Sequence, residues 1–198
     1  MALTFFPRNT RTLDLVAQYV IPNLQRHPFI RIWDAGCAMG LEPYSIAMLF
    51  REQMGHSLFQ NVLIYATDLE SDFGNPITRG IYPKSELERI PRALFNKYFR
   101  PNGPAGCFQA SEELRRAVLF QRHDLLSLQP VREGLELIIC KNVLPHLAPC
   151  QRVDVVRMFH RALAKDGYLV IEQSQRLPPG TERLFRRVTR SAPLYQKV

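Results

Sequence analysis

Apolar and polar positions alternate along this chain in blocks that read in turn as helix and strand. From Thr10 to Leu24, the residues Leu13, Val16, Ala17 and Val20 recur at i, i+3, i+4 and i+7, the spacing of one helix face. Pro28 interrupts, and Ile30-Arg31-Ile32-Trp33 follows as a short strand. Glu42 to Gln53 predicts a second helix. Pro43 falls in its first turn, where a missing N–H costs least, and Gly55 suits its C-terminal stop. Val62 to Ala66 is a continuous apolar run ending in Thr67-Asp68, the pattern of a strand buried on both faces of a parallel sheet. Ala117 to Phe120 and Leu135 to Cys140 predict a third and a fourth strand, and Tyr168 to Ile171 a fifth. Before the fifth, residues 151–164 place Val155, Met158, Phe159, Ala162 and Leu163 on one helix face, closed by Lys165-Asp166-Gly167.

Residues 69–116 are less regular. Gly74-Asn75-Pro76 weakens a helix there, Lys84 to Tyr98 carries a helical pattern, and Pro101 to Gly106 reads as a loop. The tail predicts a helix around Thr181 to Val188 and a short strand at Leu194-Tyr195. Strands alternating with helices imply an α/β fold, doubly wound around a mostly parallel sheet. With no linker and no internal repeat, the expectation is one domain over residues 1–198 with an irregular insert at about 69–116.

Composition narrows the class. Hydrophobic residues make up 46% and charged residues 22%, the ordinary balance of a globular protein. No apolar run reaches the roughly 20 residues of a membrane helix. The apolar stretch in Met1 to Arg8 is too short for a signal peptide, so the expected location is cytoplasmic. Cys37, Cys107, Cys140 and Cys150 form no C-x-x-C pair, which speaks against a zinc ribbon or a thioredoxin-type site. Cys37 and Cys140 read as small buried hydrophobes. A metal site is not expected, because His123, Asp124 and His146 lack supporting ligand spacing. The net charge of +8 favours an acidic partner, whether nucleic acid, anionic lipid or an acidic protein surface, or it serves solubility alone. It is dispersed, with concentrations at Arg115-Arg116 and from Arg183 to Arg190, and no basic block resembles a nucleic-acid arm.

The candidate chemistry lies at the carboxyl ends of the strands, where doubly wound sheets bind ligands. Strand one ends in Asp34-Ala35-Gly36-x-x-x-Gly40, whose glycines permit a tight turn and close approach to a ligand. Asp68, at the end of strand two, is placed to accept hydrogen bonds from ribose hydroxyls. Asp124, after strand three, suits an adenine amino group, and Asn142, after strand four, suits the polar tail of a ligand. A glycine turn followed by an acid at the next strand end fits any adenosine-containing ligand. The nicotinamide fingerprint G-x-G-x-x-G is absent, since Ala38 and Leu41 stand where its second and third glycines belong. S-adenosylmethionine carries no phosphates and tolerates a looser turn, so the spacing favours it.

Longer strings are more specific. Arg31 to Met48 reads RIWDAGCAMGLEPYSIAM and resembles the R-I-W-S-A-G-C-S-T-G-E-E-P-Y-S-I-A-M signature of the chemotaxis receptor methyltransferases, the CheR family. Ala66-Thr67-Asp68-Leu69 is similar to the family's A-T-D-I, and Gly80-Ile81-Tyr82 to its G-x-Y. Lys97-Tyr98-Phe99 resembles its K-Y-F, and Ile139 to Leu144 its F-C-R-N-V-L. Thr4-Phe5-Phe6-Pro7-Arg8 is similar to its N-x-T-x-F-F-R. The resemblance runs in order over about residues 4–175. It implies a Rossmann-like class I methyltransferase fold, S-adenosylmethionine as cofactor with S-adenosylhomocysteine as product, and transfer of a methyl group to glutamate side chains of chemoreceptors.

Carried over residue by residue, the resemblance implies cofactor contacts at Thr4 and Arg8 in a lid segment, Gly36 and Cys37 in the turn, and Glu42, Asp68, Asp124, Leu125, Lys141 and Asn142. It places Arg8 and His146 at the methyl-transfer site. The implied partner is an acidic protein substrate such as a helical chemoreceptor domain, with neither membrane insertion nor nucleic acid expected. The chain also departs from the pattern. The family's lid Asn falls at Ala2, Pro7 is an extra lid residue, Leu41 replaces an acid, Lys141 an Arg, and His146 a Tyr. Glu172 to Gln175 replaces a G-H-S-E-like string, and the family's N-terminal helical domain has no counterpart in the sequence given. Two alternatives therefore stay open. One is a module that binds the cofactor without using it. The other is a nucleic-acid methyltransferase, although Lys141-Asn142-Val143-Leu144-Pro145 stands where such enzymes carry a D/N-P-P-Y-type string.

Overall fold

A computed structural model describes residues 10–172, 176–190 and 192–198. Seven strands form the main sheet. In chain order they are β1 (Ile30–Ala35), β2 (Val62–Asp68), β6 (Val118–Arg122), β7 (Leu135–Cys140), β8 (Leu163–Ile171), β9 (Phe185–Arg187) and β10 (Leu194–Lys197). Their spatial order is β6-β2-β1-β7-β8-β10-β9. The first five pair in parallel, and β10 lies antiparallel between β8 and β9. This is a Rossmann-like α/β sheet, as the alternation of strands and helices implies. The order reverses at β1, so the carboxyl ends of β1, β2 and β7 meet at the switch point.

The apolar strand runs are long because both faces are covered. On one face Ile32, Ile64, Leu137 and Ile139 pack against α3 (Leu41–Phe59) and the N-terminal helical segment. On the other, Trp33, Ile138 and Leu169 pack against Val155, Met158 and Phe159 of α8 (Pro149–Ala162). The N-terminal segment is α1 (Thr10–Leu15), a π-helical stretch Val16–Val20, and α2 (Ile21–Leu24). Pro22 has no N–H to give to the preceding turn, and Ile21 N–H instead reaches back five residues to Val16 O.

Several elements differ from the sequence expectation. The helix after the glycine turn breaks at Gly55, which adopts φ 75°, and then resumes through His56 to Phe59. A short helix, α4 (Gly74–Arg79), forms in spite of Gly74 and Pro76. The proline sits in its first turn, and Gly80, at φ 63°, closes it by donating to Pro76 and Ile77 carbonyls. The helical pattern of Lys84 to Tyr98 divides at Pro91 into α5 (Lys84–Leu87) and α6 (Arg92–Tyr98). Three strands of three or four residues, β3 (Ile81–Pro83), β4 (Phe99–Pro101) and β5 (Cys107–Ala110), make a separate antiparallel sheet in the order β3-β5-β4. The expected loop at Pro101 to Gly106 is the β4–β5 connection. After it, α7 (Glu112–Ala117) leads into β6.

Lys165-Asp166-Gly167 does not end a helix. It lies inside β8, at an irregularity in the register against β7, with Asp166 at φ 61°. The expected helix at Thr181 to Val188 is instead a 3-10 turn, Glu182–Leu184, and the edge strand β9. Pairing with β10 overrides the local pattern there.

The insert is clamped to α3 by charge. Lys97 and Tyr98, the residues of the K-Y-F string, both bind the Glu52 carboxylate, and Arg51 Nε binds Glu113 Oε2 at 2.9 Å. Burial pushes both carboxyl groups upward, but the hydrogen bonds from Lys97 and Tyr98 to one and from Arg51 to the other outweigh it, so both sit below the ordinary value of 4.5. A depressed folded value contributes stability above the unfolded value that is lost as pH falls through the folded one. The melting temperature should therefore decline below about pH 4.5. Glu52→Gln and Glu113→Gln should each flatten that decline, with a cost at neutral pH of about 1 kcal/mol. Thermal melts between pH 7 and pH 3 measure this, and unchanged slopes in both variants would exclude these pairs as its source.

Candidate functional site

The turn after β1 is held to the end of β2 by backbone bonds. Thr67 O accepts from both Gly36 N–H at 2.8 Å and Cys37 N–H at 2.9 Å, and Gly40 N–H closes back on Cys37 O at 3.1 Å. Beneath it, Trp33 Nε1 donates to Thr67 Oγ1 at 2.8 Å, which fixes the two strand ends against each other. Gly36 has φ +91°, and a Cβ built on it would overlap the Val143 side chain. Gly40, at φ +85°, caps the start of α3, and a Cβ there would overlap Ile77. Both positions require glycine on two grounds, backbone conformation and space.

Asp68 joins this arrangement. Its Oδ2 accepts from Ala38 N–H at 2.9 Å and its Oδ1 from Glu70 N–H at 3.2 Å. The first bond steadies Ala38 in the left-handed region at φ 47°. Each carboxylate oxygen has further lone-pair capacity for hydroxyl donors. Asp124 Oδ1 accepts from Leu126 N–H at 2.8 Å, which caps a 3-10 turn, Leu125–Ser127. Gly36, Asp68, Asp124 and Leu125 all line one cleft of about 180 Å³, with Leu126, Val143 and Leu147 as apolar wall. Acceptors at two strand ends, a glycine turn and an apolar wall suit a flat purine joined to a hydroxylated sugar.

A second group lies where α3 starts and β7 ends. Lys141 Nζ binds Glu42 Oε1, and the Lys141 side chain is almost wholly buried. Asp34 beside them is also buried. Burial, then the Glu42 charge, push its carboxyl well above the ordinary carboxylate range, with Lys141 offsetting part of the effect. Asn142 follows β7 at φ 58° and is exposed. His146 is exposed on the 3-10 turn Leu144–His146. Cys37 and Cys140 are buried, and burial pushes both thiols up, so both are neutral small side chains.

The sequence-expected residues thus gather as two sets. Gly36, Asp68, Asp124 and Leu125 share the cleft, and Glu42 with Lys141 makes the ion pair. Cys37 is in the turn but turns its Sγ inward, 3.7 Å from Ala38 O. Thr4 and Arg8 lie outside the described residues. His123 was missed as a cleft residue. It lines the same cleft, meets Trp33 edge-on at 5.3 Å, and contacts Gln129 O through Nε2 at 2.9 Å. Its place directly before Asp124 was the available signal. Asp34 was missed because it reads as the first residue of the turn. The signal was an acid inside an apolar strand, where the family string has Ser. Among the described residues, no three of His, Cys, Asp or Glu gather as metal ligands, and no helix is long and apolar enough to cross a membrane.

A family model described as CheR methyltransferase, SAM binding domain, matches residues 2–192. A chemotaxis protein methyltransferase of Borreliella burgdorferi is 33% identical over 180 residues, covering 87% of this chain and 63% of that one. Chemotaxis protein methyltransferase 2 of Pseudomonas aeruginosa is 37% identical over 145 residues, covering 72% of this chain and 51% of that one. The chain therefore spans between about half and 63% of the length of these curated relatives. A crystal structure of a methyltransferase from Geobacter sulfurreducens matches with a TM-score of 0.52 over 92% of this chain and 79% of that one, at 12% identity, which bears on the fold alone. With its strand-end acids on one edge of a Rossmann-like sheet and a match from residue 2 to residue 192, the chain belongs to the CheR methyltransferase SAM-binding domain family, whose cofactor is S-adenosylmethionine.

Proposed function

We propose that this chain transfers a methyl group to glutamate side chains of an acidic protein, a chemoreceptor-like helical domain being the substrate class. The observation that carries the reading is the convergence of Gly36, Asp68, Asp124 and Leu125 on one cleft, within a chain of this family. When bound, S-adenosylmethionine supplies an electrophilic methyl group on a sulfonium centre. The residues here hold and orient it. Asp68 would accept from the ribose hydroxyls, Asp124 would accept from the adenine amino group, and Leu125 would pack on the ring. Glu42, Lys141 and Asn142 would hold the amino-acid end. Thr4 and Arg8, outside the described residues, take part in holding the cofactor only as the family resemblance implies.

Methyl transfer to a carboxylate makes small demands on the protein. A glutamate side chain has an ordinary pKa well below 7 and is already ionised at neutral pH, so no general base is required. The protein must bring a carboxylate oxygen in line with the methyl group and keep water out. Arg8 and His146 are the residues for that positioning. The net charge of +8 would speed encounter with an acidic helical surface.

Radiolabelled S-adenosylmethionine offered with a purified receptor cytoplasmic domain tests this. The expected result is a base-labile methyl ester on glutamate, lost when those glutamates are replaced by alanine. Tight cofactor binding with no transfer to any receptor fraction would overturn the transferase reading in favour of a binding module. Label in nucleic acid would overturn the substrate class.

A further inference from the structure

The arginines from Arg183 to Arg190 take no part in the cofactor cleft. Four of those eight residues are arginine, and all four are exposed. No ion pair among the described residues uses any of them. Hydrogen bonds from Arg186 and Arg187 run to neutral acceptors instead. Arg186 donates to Gln196 Oε1 at 2.6 Å, and Arg187 donates to Ala192 O at 3.3 Å and to Arg190 O at 3.2 Å. Such bonds hold the two guanidinium groups in place and leave their charge unmatched. The adjoining Glu182 turns its carboxylate to Gly180 N–H at 2.8 Å. Positive charge continues onto α8. Burial first, then the charges of Lys197 and Arg161, hold the His160 imidazole below its ordinary value. That ring meets Phe185 of β9 edge-on at 5.4 Å.

β9 is also an edge. It pairs with β10 on one side and ends the sheet on the other. The bonds from Val188 N–H to Leu194 O and from Val198 N–H to Leu184 O set the phase of that pairing. Leu184, Arg186 and Val188 therefore point their backbone groups at β10, while Arg187 points its N–H and C=O outward. Outward backbone groups are what an added strand pairs with. Arg186 and Arg187 stand on opposite faces of β9. A strand laid beside it brings consecutive side chains against one and then the other. Each guanidinium presents a fork of donors that matches a carboxylate. Nucleic acid and anionic lipid can neutralise arginines, but neither can continue a backbone ladder. We propose that β9 is a docking edge for an extended, acidic segment of a partner protein, with adjacent Asp or Glu residues meeting Arg186 and Arg187. In the sheet order β9 lies three places beyond β7, so a segment docked there leaves the cofactor cleft open.

Fluorescence anisotropy of a rhodamine-labelled peptide, a repeat of Val-Glu-Glu-Thr, titrated with the full chain, tests this without any cofactor. The expected result is saturable binding that weakens as salt rises. A Val-Gln-Gln-Thr repeat keeps the ladder without the charge, and a Val-Glu-Glu-Pro repeat keeps the charge but interrupts the ladder. Both should bind more weakly. Arg186→Glu/Arg187→Glu should weaken binding of the glutamate peptide about tenfold or more, with cofactor affinity unchanged. Arg89→Glu/Arg92→Glu makes the same change of charge at exposed residues of the insert and should bind the peptide like wild type. Equal binding of the glutamine or the proline peptide, or equal losses in the two double variants, would overturn the docking edge. Tighter binding of a DNA duplex or of phosphatidylglycerol vesicles, lost with the same two arginines, would overturn the choice of a polypeptide. No binding of the glutamate peptide to the wild-type chain would leave the arginines as guards that keep a free edge from pairing with its own copy, and would overturn the proposal. The peptide series on the wild-type chain decides the matter even if a variant does not fold.

Discussion

Gly36→Ala should abolish measurable cofactor binding and lower the melting temperature by roughly 5–15 °C. Two costs add. A non-glycine residue in the left-handed region costs about 1–2 kcal/mol, and Gly36 sits at φ +91°. Forcing a methyl group into a filled space costs about 1–3 kcal/mol more, and a Cβ here would overlap Val143. Relief of that overlap must move either Val143 or the turn, and both border the cleft. The double variant Gly36→Ala/Val143→Ala should recover part of the stability, because the two residues touch and their effects are coupled. Gly55→Ala is the internal control. Gly55 has φ +75° but nothing within 4 Å of a built Cβ, so it should show the backbone cost of about 1–2 kcal/mol with cofactor affinity unchanged. Equal losses in the two single variants would mean that the turn has no special tie to the cleft.

The second large effect is at Asp68. Asp68→Ala should weaken cofactor binding by about 1–3 kcal/mol, or roughly 5- to 150-fold, through hydroxyl groups buried without an acceptor. Its two backbone bonds, to Ala38 and Glu70, are each worth about 0.5–1.5 kcal/mol of stability. Asp68→Asn keeps one oxygen acceptor and should fall between wild type and alanine in both respects. The pair of measurements separates two roles. A strand-end cap alone would lose stability with affinity intact, whereas a ribose ligand loses both.

The central strands were legible because most of their positions are apolar. β7 reads as Leu135 to Cys140 in sequence and in structure, and β1 and β2 start where the apolar runs start. That legibility has a cause, since strands buried on both faces cannot carry exposed polar positions. Helix α8 was legible from one apolar face. The small sheet was not, because strands of three or four residues hold too few positions for any period to show. β9 was misread because Glu182 to Arg187 has helix-compatible spacing, and only the free edge of β10 decides its state.

The site divides in the same way. Asp68 and Asp124 were found from strand ends, a rule that needs only the order of elements. The ion pair between Glu42 and Lys141 joins residues 99 apart in sequence, so no local pattern announces it. Asp34 looked like a turn residue, and only burial beside Glu42 and Lys141 makes it chemically distinct.

A crystal structure of the full chain grown with S-adenosylhomocysteine tests the placement of the cofactor most directly. The expected density lies over the Gly36 turn, with the ribose hydroxyls at the Asp68 carboxylate and the adenine amino group at Asp124, against Leu125. Density elsewhere on the sheet, or none at a saturating concentration, would contradict it.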